Sequence, residues 1–185
     1  MIDAERDSRG GCQASDGIED YLDMATLHLM VGLPCAGKTT LAKRIEQEQS
    51  CLRLTPDEWI ERLFGADVES RVLDAARDPM EAMLWEVAAK VLKMGGDVIL
   101  DFGFWTRVER DEFRERAARL QARGVVHYAE ASEAELLRRL RERNANVPPG
   151  CFGIEEERVR AWVKRFEAPS ADELALNGGD GGWIS

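Results

Sequence analysis

The sequence lacks any long hydrophobic segment. None of its apolar runs approaches the roughly 18–20 residues that a membrane-spanning helix needs. Its first residues, MIDAERDSRGGCQ, are too polar and acidic to form the core of a secretory signal. Only 6 prolines and 16 glycines occur among 185 residues, which excludes collagen-like and low-complexity classes. We therefore expect one globular domain located in the cytoplasm.

Cysteine and histidine are also scarce. The chain has two histidines, His28 and His127, and no CxxC pair. Its 4 cysteines stand at wide, irregular intervals, at positions 12, 35, 51 and 151. This spacing is typical neither of a disulfide scaffold nor of a zinc site. We expect free thiols and no structural zinc.

Basic residues are nearly absent from the two ends of the chain. The formal net charge is −10. Residues 1–23 hold seven acids and two bases, and residues 167–185 hold four acids and no base, so the part between them is close to neutral. We expect a flexible acidic leader over residues 1–23, a folded domain over residues 24–168 and a flexible acidic tail over residues 169–185.

Short apolar strands alternate with helical segments along the folded part. The strands are predicted at residues 25–31, 52–54, 97–101 and 125–129. Helices are predicted at residues 39–47, 56–65, 68–77, 79–94, 107–123, 132–143 and 154–166. Thr55 and Glu58 are expected to form a capping box at the start of the second helix. The alternation indicates an α/β fold with parallel βαβ units.

One motif connects the first strand to the first helix. Residues 32–39, GLPCAGKT, satisfy G-x-x-x-x-G-K-[ST], the phosphate-binding loop or P-loop. Its backbone N–H groups and the helix N-terminus would hold the phosphates of ATP, Lys38 would neutralise them, and Thr39 would bind Mg²⁺. The predicted ATP-binding residues are Gly32, Leu33, Pro34, Cys35, Ala36, Gly37, Lys38, Thr39 and Thr40.

Other nucleotide-hydrolase signatures are missing. The chain has no N-K-x-D sequence of the kind that reads guanine, and Asp101, at the end of an apolar strand, is followed by Phe102 where motor ATPases have a glutamate. Asp57 stands instead at the start of a helix, nineteen residues after Lys38. A carboxylate there can accept the proton of an attacking hydroxyl, which predicts a general base.

Further candidate residues follow the third strand and lie on the sixth predicted helix. Asp101 ends the strand, where α/β sheets place functional side chains, and it would hold a Mg²⁺-bound water or orient a substrate-binding arginine. Trp105 and Arg107 are predicted to bind substrate with it. Arg139 and Arg143 share one helical face beside a Pro/Gly loop, so they are predicted to stabilise the transferred phosphoryl group from a lid over about residues 138–153.

In these features residues 26–168 resemble the small P-loop kinases that include phage-type polynucleotide 5′-kinase, chloramphenicol phosphotransferase and zeta-toxin-like kinases. The resemblance implies an adenylate-kinase-like, three-layer α/β/α fold with four or five parallel strands and a helical lid. It implies a general-base role for Asp57, phosphate binding by Arg139 and Arg143, and a position beside the acceptor for Asp101.

The chain departs from the polynucleotide kinases at Ile60, where they carry an arginine that binds the acceptor's phosphate. The aromatic run Phe102-Gly103-Phe104-Trp105 also suits a small molecule better. We therefore expect an ATP- and Mg²⁺-dependent kinase that phosphorylates a hydroxyl of a small molecule, such as an antibiotic or other natural product. A polynucleotide 5′-hydroxyl kinase and a regulatory module or slow ATPase remain alternatives.

Overall fold

The computed structural model describes residues 24–65 and 68–175. The strands are β1 (Thr26–Val31), β2 (Leu52–Leu54), β3 (Val98–Gly103) and β4 (Arg123–Tyr128). The helices are α1 (Lys38–Gln49), α2 (Pro56–Phe64), α3 (Ser70–Lys93), α4 (Arg107–Ala118), α5 (Glu133–Ala145), α6 (Glu156–Val163) and α7 (Ala171–Ala175). The leader expected over residues 1–23 lies outside the described residues, and so does the tail beyond residue 175.

The four strands form one parallel sheet in the order β2-β3-β1-β4. β1 is central and pairs with β3 on one side and β4 on the other, with Leu29 opposite Leu100 and Val126. Because all strands run in one direction, the residues that follow β1, β2 and β3 meet at the same edge. The predicted parallel sheet is confirmed, and this edge collects the P-loop, Asp57 and Asp101.

Helices cover both faces of the sheet. Leu27, Leu29 and Val31 of β1 are fully buried in a cluster with apolar residues of α3 and α4. Met30 faces the other way, against Ala42 and Ile45 of α1. This alternation is what a strand with two covered faces requires, and each buried aliphatic side chain contributes about 1.5–3 kcal/mol. The three-layer α/β/α architecture is therefore confirmed.

Helix α3 differs from the prediction. The sequence predicted two helices separated at Asp78-Pro79, but one helix runs from Ser70 to Lys93 with Pro79 inside it. Proline lacks the N–H that would complete one helical hydrogen bond. Its neighbour Met80 and the following Leu84 are buried in the core, and this packing offsets the loss. The uninterrupted helix carries Arg77 to the start of α2.

The capping box expected at α2 is wrong. Thr55 makes no side-chain cap at that helix. Both side chains of the expected box bind Arg53 instead. Its guanidinium donates to the hydroxyl of Thr55 and, at 2.9 Å, to the carboxylate of Glu58. The interaction ties β2 to the first turn of α2, where Asp57 lies.

The beginning of the expected tail is ordered. Residues 171–175 form α7, and Glu173 makes a buried, two-pronged ion pair with Arg110 of α4. A segment predicted as flexible from residue 169 onward is thus fixed to the domain as far as α7. Among the described residues, no helix is long and apolar enough to cross a membrane. The cytoplasmic location stays a prediction.

Candidate active site

The P-loop lies between β1 and α1, as the motif predicts. Gly32 and Gly37 have φ values of 141° and 108°, in the region that favours glycine. A Cβ on Gly32 would lie 2.7 Å from the carbonyl oxygen of Ala129, so only glycine fits there. Helix α1 begins at Lys38, which directs its free N–H groups into the loop. The loop therefore has the backbone geometry of an anion site.

The side chains of the loop divide into two groups. Leu33 and Ala36 are buried against α5 and α6 and anchor the loop, so their backbone rather than their side chains borders the phosphate site. Pro34 and Cys35 are half-buried, and Thr40 is exposed on the first turn of α1. Burial raises the pKa of the Cys35 thiol, although the nearby cations Arg143, Lys38 and Arg139 oppose this. A protonated thiol does not compete with phosphate by charge.

Lys38 and Asp101 are held close together beside Thr39. The Lys38 ammonium donates to the carbonyl of Leu33 at 2.9 Å. The Thr39 hydroxyl donates to Oδ2 of Asp101 at 2.7 Å. Burial lowers the pKa of Lys38, and the charges of Asp101 and Asp57 oppose this. Burial likewise raises the pKa of Asp101, opposed by Lys38 and Thr39. Two carboxylates therefore stabilise the charged form of Lys38 in a partly desolvated site, while they repel each other.

Thr39 and Asp101 together fit a Mg²⁺ ion. One contributes a hydroxyl oxygen and the other a carboxylate oxygen, which are the hard ligands that Mg²⁺ prefers. Asp101 was predicted to hold a Mg²⁺-bound water or to orient a substrate-binding arginine, and the structure places its carboxylate against Thr39 at the phosphate end of the site. The period-2 alternation of β3 explains this, since Asp101 points to the α1 face together with Ile99.

Asp57 is ion-paired with Arg77 of α3. Arg77 lies 3.7 Å from Glu81, one turn further along the same helix. Burial raises the pKa of Glu81 to about 7, although the charge of Arg77 opposes this. The pair is about one-third exposed, so the carboxylate of Asp57 is both oriented and accessible.

Arg139 and Arg143 lie on α5 above the P-loop. Arg139 donates to the carbonyl of Ala36 at 3.1 Å and to Glu135 at 2.5 Å. Arg143 donates to the carbonyl of Phe152 at 3.1 Å, while its Nε is buried with no hydrogen-bond partner among the described residues. An unpaired buried N–H is costly.

The segment after α5 closes on α2. The backbone N–H of Gly150 donates to the carboxylate of Glu61, and Asn144 forms two hydrogen bonds with the backbone of Ile154. The predicted lid region over residues 138–153 thus bridges the P-loop side and the Asp57 side of the site. Its movement stays a prediction.

Trp105 and Arg107, which were predicted to bind substrate, contact residues outside the P-loop region. Trp105 packs against Trp162, with ring centroids 5.3 Å apart. Arg107 is exposed and pairs with Asp111 and Asp172. The aromatic run is used for packing as well, because Phe104 contacts Phe113 in the core. The structure therefore groups Asp57, Asp101, Arg139 and Arg143 around the P-loop and leaves these two at its periphery.

Sequence reasoning missed two side chains that organise the site. Arg77 binds Asp57, but it was placed at the end of a helix that does not end there. Glu135, in the first turn of α5, binds Arg139. The spacing of Glu135 and Arg139, four residues apart, was the one signal that could have indicated a pair.

Known proteins share this architecture. The AAA_33 family, described as an AAA domain, matches residues 27–169. Shikimate kinase from Baumannia cicadellinicola subsp. Homalodisca coagulata is 31% identical over 154 residues, covering 79% of this chain and 81% of the relative.

Two solved structures show the same fold at lower identity. A candidate kinase from Chloroflexus aurantiacus J-10-fl has a TM-score of 0.62 at 19% identity, covering 80% of this chain and 82% of that one. A chain of the Pnkp1/Rnl/Hen1 RNA repair complex has a TM-score of 0.60 at 20% identity, covering 84% of this chain and 45% of that one. With its P-loop and the family match over most of its length, the chain belongs to the AAA_33 family and is a P-loop kinase of the shikimate kinase type.

Proposed function

We propose that the protein transfers the γ-phosphate of ATP to a hydroxyl group of a small molecule, with Mg²⁺ as cofactor and Asp57 as general base. The observation that carries this proposal is the position of Asp57. Its carboxylate is fixed by Arg77 and contributes, with Asp101, to the charge environment of Lys38. A base that shares the environment of the P-loop lysine lies where an acceptor hydroxyl would meet the γ-phosphate.

In the proposed reaction the acceptor oxygen forms a bond to the γ-phosphorus as the bond to the bridging oxygen of ADP breaks. The acceptor proton passes to the carboxylate of Asp57, and ADP leaves with the bridging oxygen. Arg77 holds the carboxylate in place. A hydroxyl must approach the phosphorus in line with the leaving oxygen, so this positioning accounts for much of the rate.

Charge at the transferred group is balanced by cations from two sides. The P-loop N–H groups and Lys38 stabilise its negative charge from the side of the P-loop, and Arg139 and Arg143 do so from α5. Thr39 and Asp101 would hold Mg²⁺, which would supply additional positive charge to the phosphate oxygens. Closure over the site excludes water, which favours transfer over hydrolysis.

Two features favour a small acceptor over a polynucleotide end. Ile60, where polynucleotide kinases carry the phosphate-binding arginine, is fully buried in the core and cannot contact a ligand. The relative with 31% identity is a shikimate kinase, whereas the likeness to the RNA repair complex is one of fold. Because the aromatic run is packed inside, a polar hydroxyl compound suits the site at least as well as an apolar natural product.

The experiment measures transfer of labelled γ-phosphate from ATP to a panel of acceptors: shikimate, gluconate, hydroxylated natural products and a 5′-hydroxyl oligonucleotide. We expect one class of small molecule to be labelled, with loss of labelling in Asp57→Asn and retained binding of an ATP analogue. Asp111→Asn, which alters an exposed carboxylate of α4, is the matched control and should keep full activity.

Two results would contradict the proposal. Labelling of the oligonucleotide alone would make the protein a polynucleotide kinase. Steady ATP hydrolysis that no acceptor accelerates and that Asp57→Asn does not change would indicate a slow ATPase or a regulatory module.

A further inference from the structure

The edge of the sheet opposite the P-loop holds a second group of chemically competent side chains. His28 lies in the first half of β1, Cys51 directly precedes β2, and Asp97 directly precedes β3. One ligand atom from each lies within 4.8 Å of the other two. The Sγ of Cys51 is 3.9 Å from Nε2 of His28. Residues that are far apart in sequence are brought together because parallel strands all begin at this edge.

The three groups form a typical donor set for zinc. Zn²⁺ binds thiolate, imidazole and carboxylate at about 2.0–2.3 Å, so the ligand atoms of a tetrahedral site lie about 3.3–3.8 Å apart. The distance of 3.9 Å between Sγ of Cys51 and Nε2 of His28 is close to the upper value, and no ligand atom of the cluster is more than 4.8 Å from another. Rotation of the Cys51 and Asp97 side chains would close the gap. Three protein ligands leave a fourth position for water.

His127 supports His28 from behind. Its Nε2 lies 2.9 Å from Nδ1 of His28, and the two rings stack with centroids 5.1 Å apart. When Nδ1–H of His28 donates to His127, the lone pair on Nε2 faces Cys51. Metal-binding histidines generally donate their second N–H in this way, which fixes the tautomer.

The surrounding charges nearly balance. Arg123 acts on His28 and Arg44 acts on His127, and both disfavour an added cation. The negative charges of Asp97 and Glu46 lie near the thiol of Cys51 and favour an added cation. A bound thiolate would add another negative charge. Oδ1 of Asp97 accepts a hydrogen bond from the backbone N–H of Thr26 at 2.6 Å, which leaves Oδ2 available to a metal.

We propose that His28, Cys51 and Asp97 bind one divalent transition-metal ion of the zinc type, with His127 as a positioning residue. Binding releases the thiol proton of Cys51 to solvent and forms one metal–sulfur, one metal–nitrogen and one metal–oxygen bond. The ion would join the beginnings of β1, β2 and β3. Because the site lies at the edge opposite the P-loop, it is separate from the proposed phosphate transfer and would act on the stability of the fold.

The test uses the full chain carrying Cys12→Ser, because Cys12 lies outside the described residues and is a separate thiol. The protein is stripped with EDTA, desalted and titrated with Zn²⁺ against a chromogenic chelator, and in parallel with Co²⁺. We expect one equivalent of metal per chain and a cobalt–thiolate charge-transfer band with the intense visible bands of tetrahedral cobalt. Zn²⁺ should raise the melting temperature.

Variants assign the ligands. Cys51→Ser should lose the charge-transfer band, and Asp97→Asn, which can still accept from Thr26, should lose tight binding and the zinc-dependent thermal shift. His127→Gln should keep the band and bind about 10–100-fold more weakly. Cys151→Ser is the matched thiol control and should behave as the parent protein. Circular dichroism establishes that each variant is folded before titration.

Three outcomes overturn the proposal. They are the absence of stoichiometric uptake by the parent protein, a charge-transfer band that persists in Cys51→Ser, and a loss of binding in Cys151→Ser equal to that in Cys51→Ser. None of them bears on phosphate transfer, which is measured separately at the other edge of the sheet.

Discussion

Arg77, near the end of the second turn of α3, forms an ion pair with Asp57 in the first turn of α2. The two residues are twenty positions apart and belong to different helices. Arg77 lies two residues before Pro79, in the N-terminal half of α3, and α3 packs against α2. The contact joins two helices and orients the proposed general base.

Replacing Arg77 should therefore impair catalysis more than folding. We expect Arg77→Met to lower kcat by about 10–100-fold, because a misplaced base loses its alignment with the acceptor hydroxyl. The KM for ATP should change little. The free energy of unfolding should fall by less than about 1 kcal/mol, since the pair is partly exposed. Steady-state kinetics and urea unfolding measure the two effects.

Arg77→Lys is the matched variant for this prediction. It keeps the charge but loses the planar guanidinium, so its kcat should lie between those of the parent and Arg77→Met. A kcat for Arg77→Met equal to that of the parent would mean that Asp57 does not need Arg77.

Glu81 should make the protein less stable as the pH rises. Burial raises the pKa of Glu81 to about 7, above the value near 4.5 of an unperturbed glutamate. Between these two values the folded state holds the proton more often than the unfolded state does, so the free energy of unfolding falls as the pH rises from about 4.5 to 7. Glu81→Gln removes this dependence.

The measurement compares urea unfolding of the two proteins at pH 5 and pH 8. We expect Glu81→Gln to be more stable than the parent at pH 8, by on the order of 1 kcal/mol, and nearly equal to it at pH 5. Glu86→Gln, on the same helix, serves as the control. If Glu81→Gln were less stable than the parent at pH 8, and more so than at pH 5, the direction assigned to the pH dependence of Glu81 would be wrong.

The fold and the centre of the site could be predicted from the sequence because their signals are local. The P-loop motif, the apolar strands and the position of Asp57 after β2 each depend on a few adjacent residues. The helix boundaries at Pro79 and the cap at Thr55 could not be predicted as easily. There, tertiary packing of Met80 and Leu84, and competition from Arg53, outweighed the local preferences.

Long-range pairings could not be predicted from the sequence either, because they too depend on tertiary contacts. Arg77 with Asp57, Arg110 with Glu173, and His28 with Cys51 are each separated by twenty or more residues, and no spacing rule connects them. The cysteine spacing is a further example. A search for CxxC spacing finds nothing, while the strand order brings His28, Cys51 and Asp97 to one edge of the sheet.

Gly32 should tolerate substitution less well than Gly37. Both have positive φ, so alanine at either position adds backbone strain of about 1–3 kcal/mol. At Gly32 the new Cβ would also lie 2.7 Å from the rigid carbonyl of Ala129, whereas at Gly37 the nearest atom is 3.9 Å away on the Arg139 side chain.

Unfolding in urea measures the difference. We expect Gly32→Ala to reduce the free energy of unfolding by more than Gly37→Ala does, and both to weaken binding of an ATP analogue. Gly95→Ala has positive φ and open space around it, so it reports the strain alone. Equal stability of Gly32→Ala and Gly95→Ala would contradict the predicted clash.

Glu173 should contribute strongly to stability although it lies in a segment that the sequence predicts as flexible. Its carboxylate and the guanidinium of Arg110 are both almost fully buried, and their two hydrogen bonds measure 2.7 and 3.0 Å. Glu173→Gln would leave the buried charge of Arg110 uncompensated, which typically costs about 3–5 kcal/mol. Asp172→Asn, next to it and exposed, should cost much less.

The pH dependence gives an independent check of the same pair. Burial alone would raise the pKa of Glu173, but hydrogen bonds from Arg110 and from the backbone of Ser170 hold it below its usual range. A depressed pKa stabilises the folded state above the unfolded value near 4.5, and that contribution is lost as the pH falls below about 5. The parent should therefore lose more stability than Glu173→Gln between pH 6 and pH 3 in parallel unfolding curves. Glu81 acts with the opposite sign and at higher pH, so one pH series separates the effects of the two carboxylates. If the parent and Glu173→Gln lost the same stability between pH 6 and pH 3, the buried pair would not be the cause of the loss at acid pH.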